Sequence, residues 1–393
     1  MNINILIKNG MIFDGTNFVK KDILIKNSTI SKIADNIKGK DFFDASNLVI
    51  SPGFIDLHTH LREPGFEHKE TIKTGTAAAI AGGFTTVCAM PNLNPAPDNL
   101  NNLNIELEII KKNALCNVKP FMAITKNRSG QEVINMEDVF EFCAGVSDDG
   151  NAVQNNEVME KAMRRAAENN VLIAAHCEDE KKLSDESEFG QVIRDLNLVK
   201  KYRCRYHVCH VSCKKTIELI QDAKIRGLPV TCEITPHHAL LCEDDIINEN
   251  HGFIMKPPLR TQKDKKSLQK AIQDGTIDVF ATDHAPHTPF EKLMKNVYGA
   301  SGIECAFSVL YSNLVKTGII SLTYLFKMLT INPSKILKFD CRLSENMLAN
   351  LIIIDLNKKQ IIKGKEFISK GKSTPFEGMV SYGKVIKSFL NLE

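Results

Sequence analysis

Apolar residues fall along the chain in two textures. Near both ends, short runs alternate apolar and β-branched residues with Gly, Asn and Asp. NILIKNGMIFD and KDILIKNSTISKIAD lie in the first fifty residues, NLIIIDL and EGMVSYGKVIKSFL in the last fifty. That alternation and punctuation predict short strands joined by turns. Between the ends, near-continuous apolar runs alternate with amphipathic stretches, the pattern of βα units. Eight runs read as strands: VISPGFIDLH ending near His58, FTTVCAM at Met90, NVKPFMAIT at Thr125, FCAGVSD near Asp148, VLIAAH at His176, YHVCHV near Val211, PVTCEIT at Thr235 and IDVFATD at Asp283. Helices are predicted over 157–169 with Asn156 as N-cap, over 214–226 between Ser212 and Gly227, and over 264–273. Eight apolar strands separated by helices specify an α/β fold, a (β/α)8 TIM barrel running from about residue 50 to 340.

Composition narrows the class. Lys and Arg total 50 against 47 Asp and Glu, a net charge of +3, which argues against a nucleic-acid binder or a polybasic membrane adaptor. No apolar run approaches the ~20 residues of a membrane span, and the N-terminus lacks the apolar core of a signal peptide. Eleven Cys is an odd count, so at least one thiol is unpaired, and a reduced, cytoplasmic protein is expected.

The chemistry gathers where a barrel keeps its active site, at the C-terminal ends of the strands. His58 and His60 end the first strand, two positions apart, so both rings share one face. Asp149 follows the fourth strand within Ser147-Asp148-Asp149-Gly150, and His176, His210 and Asp283 end the fifth, sixth and eighth. A mixed imidazole and carboxylate shell suits Zn²⁺, with Mn²⁺, Co²⁺ or Fe²⁺ as competitors. Six ligands fit two ions sharing a group better than one tetrahedral ion. Two ions ~3.5–4 Å apart bind one water and lower its pKa from ~15.7 towards ~7. Asp149 is placed to bridge, and Asp283 to take the water's proton and return it to a leaving nitrogen. Arg62, two residues beyond His60, offers a fork for an anionic substrate, while Asn92 and His287 lie just past neighbouring strand ends. The cysteines near His210 (Cys204, Cys209 and Cys213) lack the CxxC spacing of a structural zinc site. His237-His238 read as packing residues rather than ligands.

In these segments the chain resembles the class I, bacterial-type dihydroorotases of the amidohydrolase superfamily. The resemblance is carried by PGFIDLHTHLREPG, AMPNLNPAPD, DDG, HCED, YHVCHVS, TPHHALLCEDDI, PPLR, ATDHAPH, GIECAF and KSTPFEGM, in the family's order and over nearly the whole chain. It implies His58 and His60 on one zinc, His176 and His210 on the other, Asp149 as bridge, and Asp283 as ligand and general acid/base. Hydantoinases and dihydropyrimidinases carry a carboxylated lysine in place of that aspartate. Arg62, Asn92 and His287 would hold the substrate's carboxylate and ring, with Tyr298 and Gly299 touching the ring through backbone. The implied reaction is reversible cyclisation of N-carbamoyl-L-aspartate to L-dihydroorotate plus water, in de novo pyrimidine synthesis. Residues 1–50 and 341–393 would form one composite β-domain beside the barrel of 51–340. A homodimer and association with aspartate transcarbamoylase are among the family's assemblies. Two other readings stand beside this one: a cyclic amidase of hydantoinase or allantoinase type, and a catalytically silent scaffold for the transcarbamoylase.

The chain departs from the family in four places. Lys256 stands where relatives carry Asn in MNPPLR, and is expected to supply charge to the substrate carboxylate. The segments 177–188 and 288–297 are shorter than usual, and the chain stops at Glu393 where relatives often add a short strand. None of these departures removes a ligand.

Overall fold

The computed structural model describes residues 3–139, 143–182, 184–247, 249–295 and 297–390. Eight parallel strands follow one another around a nearly closed barrel: β1 (Phe54–Thr59), β2 (Phe84–Ala89), β3 (Asn117–Met122), β4 (Gly145–Val146), β5 (Leu172–Ala175), β6 (Arg205–Val208), β7 (Val230–Ile234) and β8 (Val279–Phe280). All eight match runs expected from the sequence, although Phe142 of the fourth run lies outside the described residues. β1 runs one residue past its predicted end, and the other seven strands stop one to three residues short of theirs.

The seam between β8 and β1 is closed largely by other means than ladder bonds. A single bridge joins Thr59 to His284, and the His60 amide donates to the His284 carbonyl at 2.9 Å. Below it, the buried Asp56 carboxylate accepts from the Thr282 amide at 2.9 Å and the Thr282 hydroxyl at 2.5 Å. Burial pushes this carboxyl up to about 6.

Helices form where the sequence pattern places them, with caps displaced by a residue. Asn156–Glu168 is capped by Asn155, one position before the expected cap, because the Asn155 side chain reaches the amides of Glu157 and Val158. Lys214–Ile225 ends before Gly227, whose φ of +65° reverses the chain. Gln262–Gln273 starts at the Thr261 cap. A large apolar layer packs these helices on the strands. A second cluster joins Ile55, Leu57, Phe121, Leu172 and Val279. Strands on opposite sides of a barrel meet only inside it, so these residues fill the interior.

The two chain ends share one sheet. Val49–Pro52 pairs antiparallel with Leu351–Ile361, which pairs in turn with Val380–Phe389. A further sheet joins Thr29–Ala34, Asp22–Lys26, Ile5–Lys8 and Phe43–Asp44. Ile7, Ile23, Ile25, Ile50, Leu351, Ile353 and Phe389 make their common core. The two ends read alike because both supply strands to the sheet that contains Val49–Pro52 and Leu351–Ile361. Among the described residues, no helix is long and apolar enough to cross a membrane.

Candidate active site

The six expected ligands meet at one mouth of the barrel. Asp149 Oδ1 lies 3.3 Å from His58 Nε2, 3.5 Å from His210 Nε2 and 3.7 Å from His176 Nδ1, while its Oδ2 lies 3.4 Å from His60 Nε2. Asp283 Oδ1 is 3.0 Å from His60 Nε2 and 3.6 Å from His58 Nε2. Two donor groups result, His58–His60–Asp149 and Asp149–His176–His210, and Asp149 belongs to both.

Local folding explains why the second aspartate of the pair faces the site. Asp148 is consumed by β3's end: its carboxylate accepts from the Ile124 amide at 2.8 Å and the Thr125 hydroxyl at 2.5 Å. Asp149 is left to turn inward. At the other corners the backbone itself is bent. Arg62, His210 and Asp283 take φ of +63°, +33° and +46°, a region L-residues avoid at a cost of roughly 1–3 kcal/mol. Strain at three residues of the mouth marks where side-chain direction has been placed ahead of backbone comfort.

Three of the four rings, those of His58, His60 and His176, are held by their other nitrogen. His58 Nδ1 meets Glu233 Oε1 at 2.6 Å, His60 Nδ1 meets Asn92 Oδ1 at 2.9 Å, and His176 Nε2 meets Glu178 Oε2 at 3.1 Å. An N–H given to an oxygen there leaves a bare lone pair on the nitrogen that faces Asp149. Glu233 is the hub. It also faces His207 Nε2 at 3.1 Å and accepts from the His210 amide at 3.2 Å. Burial alone would raise its carboxyl, but the His58 and His207 rings outweigh that and bring it to about 2. No pattern in the sequence singled out Glu233 or Glu178. The available signal for Glu233 was a carboxylate within the apolar run VTCEIT, since buried charges are paired.

The residues present fit divalent cations. The His58 Nε2 and Asp149 Oδ1 atoms are buried, face each other and have no hydrogen-bond partner. With His58 Nδ1 donating to Glu233, its Nε2 lone pair faces a carboxylate oxygen at 3.3 Å. Acceptor against acceptor is unfavourable in a buried site unless positive charge lies between. Asp283 is held well below the usual carboxylate range, since His60, His58 and His210 overcome its burial.

A cavity of about 430 Å³ opens above these groups, lined by Arg62, Asn92, Lys256, His287, Tyr298 and Gly299 together with ligand residues. All six residues expected at the substrate therefore line one space. Arg62 is buried and its Nη2 donates to His287 Nε2 at 3.3 Å. Burial lowers the guanidinium to about 10, which leaves it charged at neutral pH. Burial and the Arg62 charge take His287 to about 3, so its ring is neutral and can accept. Asn92, which lines this space, also orients His60. Gly299 takes φ of +131°, and a Cβ there would lie 2.5 Å from the Ala285 carbonyl, so only glycine fits this wall. Arg128, also absent from the sequence-level site, donates to the Asp149 carbonyl at 2.6 Å and braces that corner.

Lys256 does not point at Arg62's partners. Its ammonium sits 3.0 Å from Glu178 Oε1 and 4.9 Å from the Tyr298 ring centroid. The segment 288–297, expected as a shortened loop, contains a helix over Pro289–Lys295. His237 and His238 are buried, and His238 bonds Thr235 Oγ1 at 2.8 Å and the Pro257 carbonyl at 3.0 Å, a packing role. Cys204, Cys209 and Cys213 are buried as free thiols, and burial pushes all three up, which disfavours the reactive thiolate.

Comparison with known proteins bears on the family and the fold. The model of the amidohydrolase family matches residues 49–391. A dihydroorotase of Fusobacterium nucleatum is 44% identical over 398 residues, covering 94% of this chain and 93% of the relative. One from Bacillus cytotoxicus is 43% identical over 409 residues, covering 97% and 95%. Among solved structures, L-hydantoinase from Arthrobacter aurescens superposes with a TM-score of 0.89 at 21% identity, covering 99% of this chain and 95% of that one. D-hydantoinase from a Thermus species gives 0.85 at 25% identity, covering 98% and 94%. The hydantoinase likenesses speak to fold.

Proposed function

The chain belongs to the amidohydrolase family and, within it, to the dihydroorotases; from that membership we propose that it closes N-carbamoyl-L-aspartate to L-dihydroorotate, reversibly, with zinc at the barrel mouth. It is a hydrolase of a cyclic amide and takes a small-molecule substrate. The observation that carries the finer reading is the single carboxylate, Asp149, shared by two histidine pairs. Hydantoinase-like sites place a modified lysine there, and a silent scaffold has no reason to keep all six donors converging.

His58, His60 and Asp283 would hold one ion and His176 and His210 the other, with Asp149 common to both. When bound, two zinc ions supply a water made acidic enough to attack at neutral pH and Lewis acidity towards an amide carbonyl. The protein's own groups do the rest. Asp283 enters as a carboxylate, so it can accept the attacking water's proton and return it to the ring nitrogen as the amide bond breaks. In ring closure the same oxygen runs the transfer backwards. Arg62 offers a charged fork to the substrate carboxylate, with neutral His287 and the Asn92 amide beside it. Lys256 neutralises Glu178, so a negative substrate does not meet an unpaired carboxylate at the rim.

Metal analysis of the purified protein together with a substrate panel tests this reading. Two zinc ions per chain and ring opening of dihydroorotate in preference to hydantoin and dihydrouracil are expected. A preference for the uncharged rings, or metal-loaded protein inert towards dihydroorotate, would overturn it.

A further inference from the structure

The helix Pro289–Lys295 beside the site is inverted. Its large apolar residues Phe290, Leu293 and Met294 are 64%, 62% and 65% exposed, whereas Lys292 is 1% exposed. Ordinary amphipathic helices bury the apolar face and leave lysine in water. Its large apolar side chains do not hold this helix down; its buried side chains are Glu291 and Lys292. Among the described residues, no carboxylate lies within ion-pair distance of Lys292. Its ammonium donates instead to three backbone carbonyls, those of Ile254 at 2.9 Å, Val297 at 2.9 Å and Gly299 at 2.7 Å.

Those carbonyls belong to two segments of the substrate cavity's wall. Val297, Tyr298 and Gly299 line it directly, and Ile254 lies two residues before Lys256, which lines it too. The Gly299 amide also donates to the Ile254 carbonyl at 3.0 Å. One ammonium with three donors thus adds to that backbone bond and gathers three carbonyls of two chain segments around a single point.

We propose that Lys292 is a positioning residue for substrate, its ammonium fixing the wall formed by Ile254–Lys256 and Val297–Gly299 against which the dihydroorotate ring is placed. The inference rests on the dihydroorotase reading. It concerns binding, because Lys292 touches neither Asp283 nor any ligand.

The surroundings give a pH signature. Burial lowers Lys292 to about 8. His287 lies close enough for the Lys292 charge to depress it further, and is already neutral. Glu291, on the same helix, is engaged elsewhere, with Lys69 Nζ at 3.3 Å and the Thr288 hydroxyl at 3.1 Å. Lys256 is engaged by Glu178, and Lys295 and Tyr298 border the same cavity. The neutral amine has two N–H donors for three carbonyls. Substrate affinity should therefore weaken as pH rises through the lysine's pKa, with turnover at saturation little changed.

The test is steady-state ring opening of dihydroorotate by the zinc-loaded enzyme and its Lys292→Met variant between pH 6.5 and 9.5. The wild-type KM should climb about tenfold above pH 8 while kcat keeps within twofold of any change seen in the variant. The variant should show the raised KM already at pH 7, a kcat within twofold of wild type, and no such climb. A variant KM within twofold of wild type, a climb that persists in the variant, or a loss confined to kcat would each overturn the proposal. Should the variant fail to fold, a wild-type KM that stays flat to pH 9.5 overturns it and a tenfold climb supports it. A wild-type enzyme without dihydroorotate turnover would overturn the functional reading instead, which keeps the two failures apart.

Discussion

Glu233 offers the sharpest check on how the metal site is held. The Glu233→Gln substitution keeps the side chain's shape and removes its charge. Oε1 is the oxygen that meets His58 Nδ1 at 2.6 Å and the His210 amide at 3.2 Å. The amide oxygen of glutamine can take that place. Its NH₂ then faces His207, whose other nitrogen meets the rotatable Thr231 hydroxyl at 2.8 Å, so His207 can change tautomer to suit. The packing survives, and what is lost is the charge on the bond that fixes His58. A hydrogen bond to a charged group contributes about 1.5–3 kcal/mol and a neutral one about 0.5–1.5. The difference, about 1–1.5 kcal/mol, corresponds to roughly tenfold in an equilibrium constant. That is the low end of the 10–100-fold loss of metal affinity typical when a ligand's supporting partner is changed. Zinc affinity measured by chelator competition should thus fall about tenfold in Glu233→Gln and further in Glu233→Ala, with the far-ultraviolet dichroism of the Gln variant unchanged. A zinc affinity within twofold of wild type in the Gln variant would refute the argument that Glu233's charge sets the basicity of His58.

Other expectations follow from the same geometry. Asp283→Asn should reduce kcat by roughly 10²–10⁴, the usual contribution of a general acid/base, with melting temperature nearly unchanged; a rate within tenfold of wild type would remove Asp283 from proton transfer. Arg62→Lys should raise KM for dihydroorotate with a smaller effect on kcat, because a point charge cannot reproduce the guanidinium fork; equal kinetics would count against carboxylate recognition at Arg62. Lys256→Met should raise KM by roughly two- to fivefold, the scale of a partly exposed ion pair worth up to ~1 kcal/mol. Adding Glu178→Gln should recover part of that loss, and a double variant no better than Lys256→Met would show that Lys256 acts on substrate directly.

The conspicuous parts of the site were legible from spacing. His58 and His60 at i and i+2, the Asp148-Asp149 pair, and single histidines or aspartates at strand ends needed only the barrel's rule that strand C-termini meet at one face. The supporting residues were not legible. His58 and Glu233 are 175 positions apart, and Lys256 and Glu178 are 78 apart. Nothing local tells a carboxylate in VTCEIT which ring it will face. Lys292 shows the same limit more sharply. In FEKLMK the lysine is indistinguishable from a solvated one, and its burial follows only from carbonyls that Ile254, Val297 and Gly299 bring around it.

The sequence by itself therefore determined the barrel, the order of its strands, the donor types and the side of the molecule on which they gather, because these depend on periodicity and on short-range spacing. Only the tertiary structure decided that Asp148 spends its carboxylate on Ile124 and Thr125, that Lys256 spends its charge on Glu178, and that a buried lysine helps hold the helix at the rim. Each of those outcomes is a choice among partners for a polar group taken out of water. Which partner is within reach is settled by how distant segments pack.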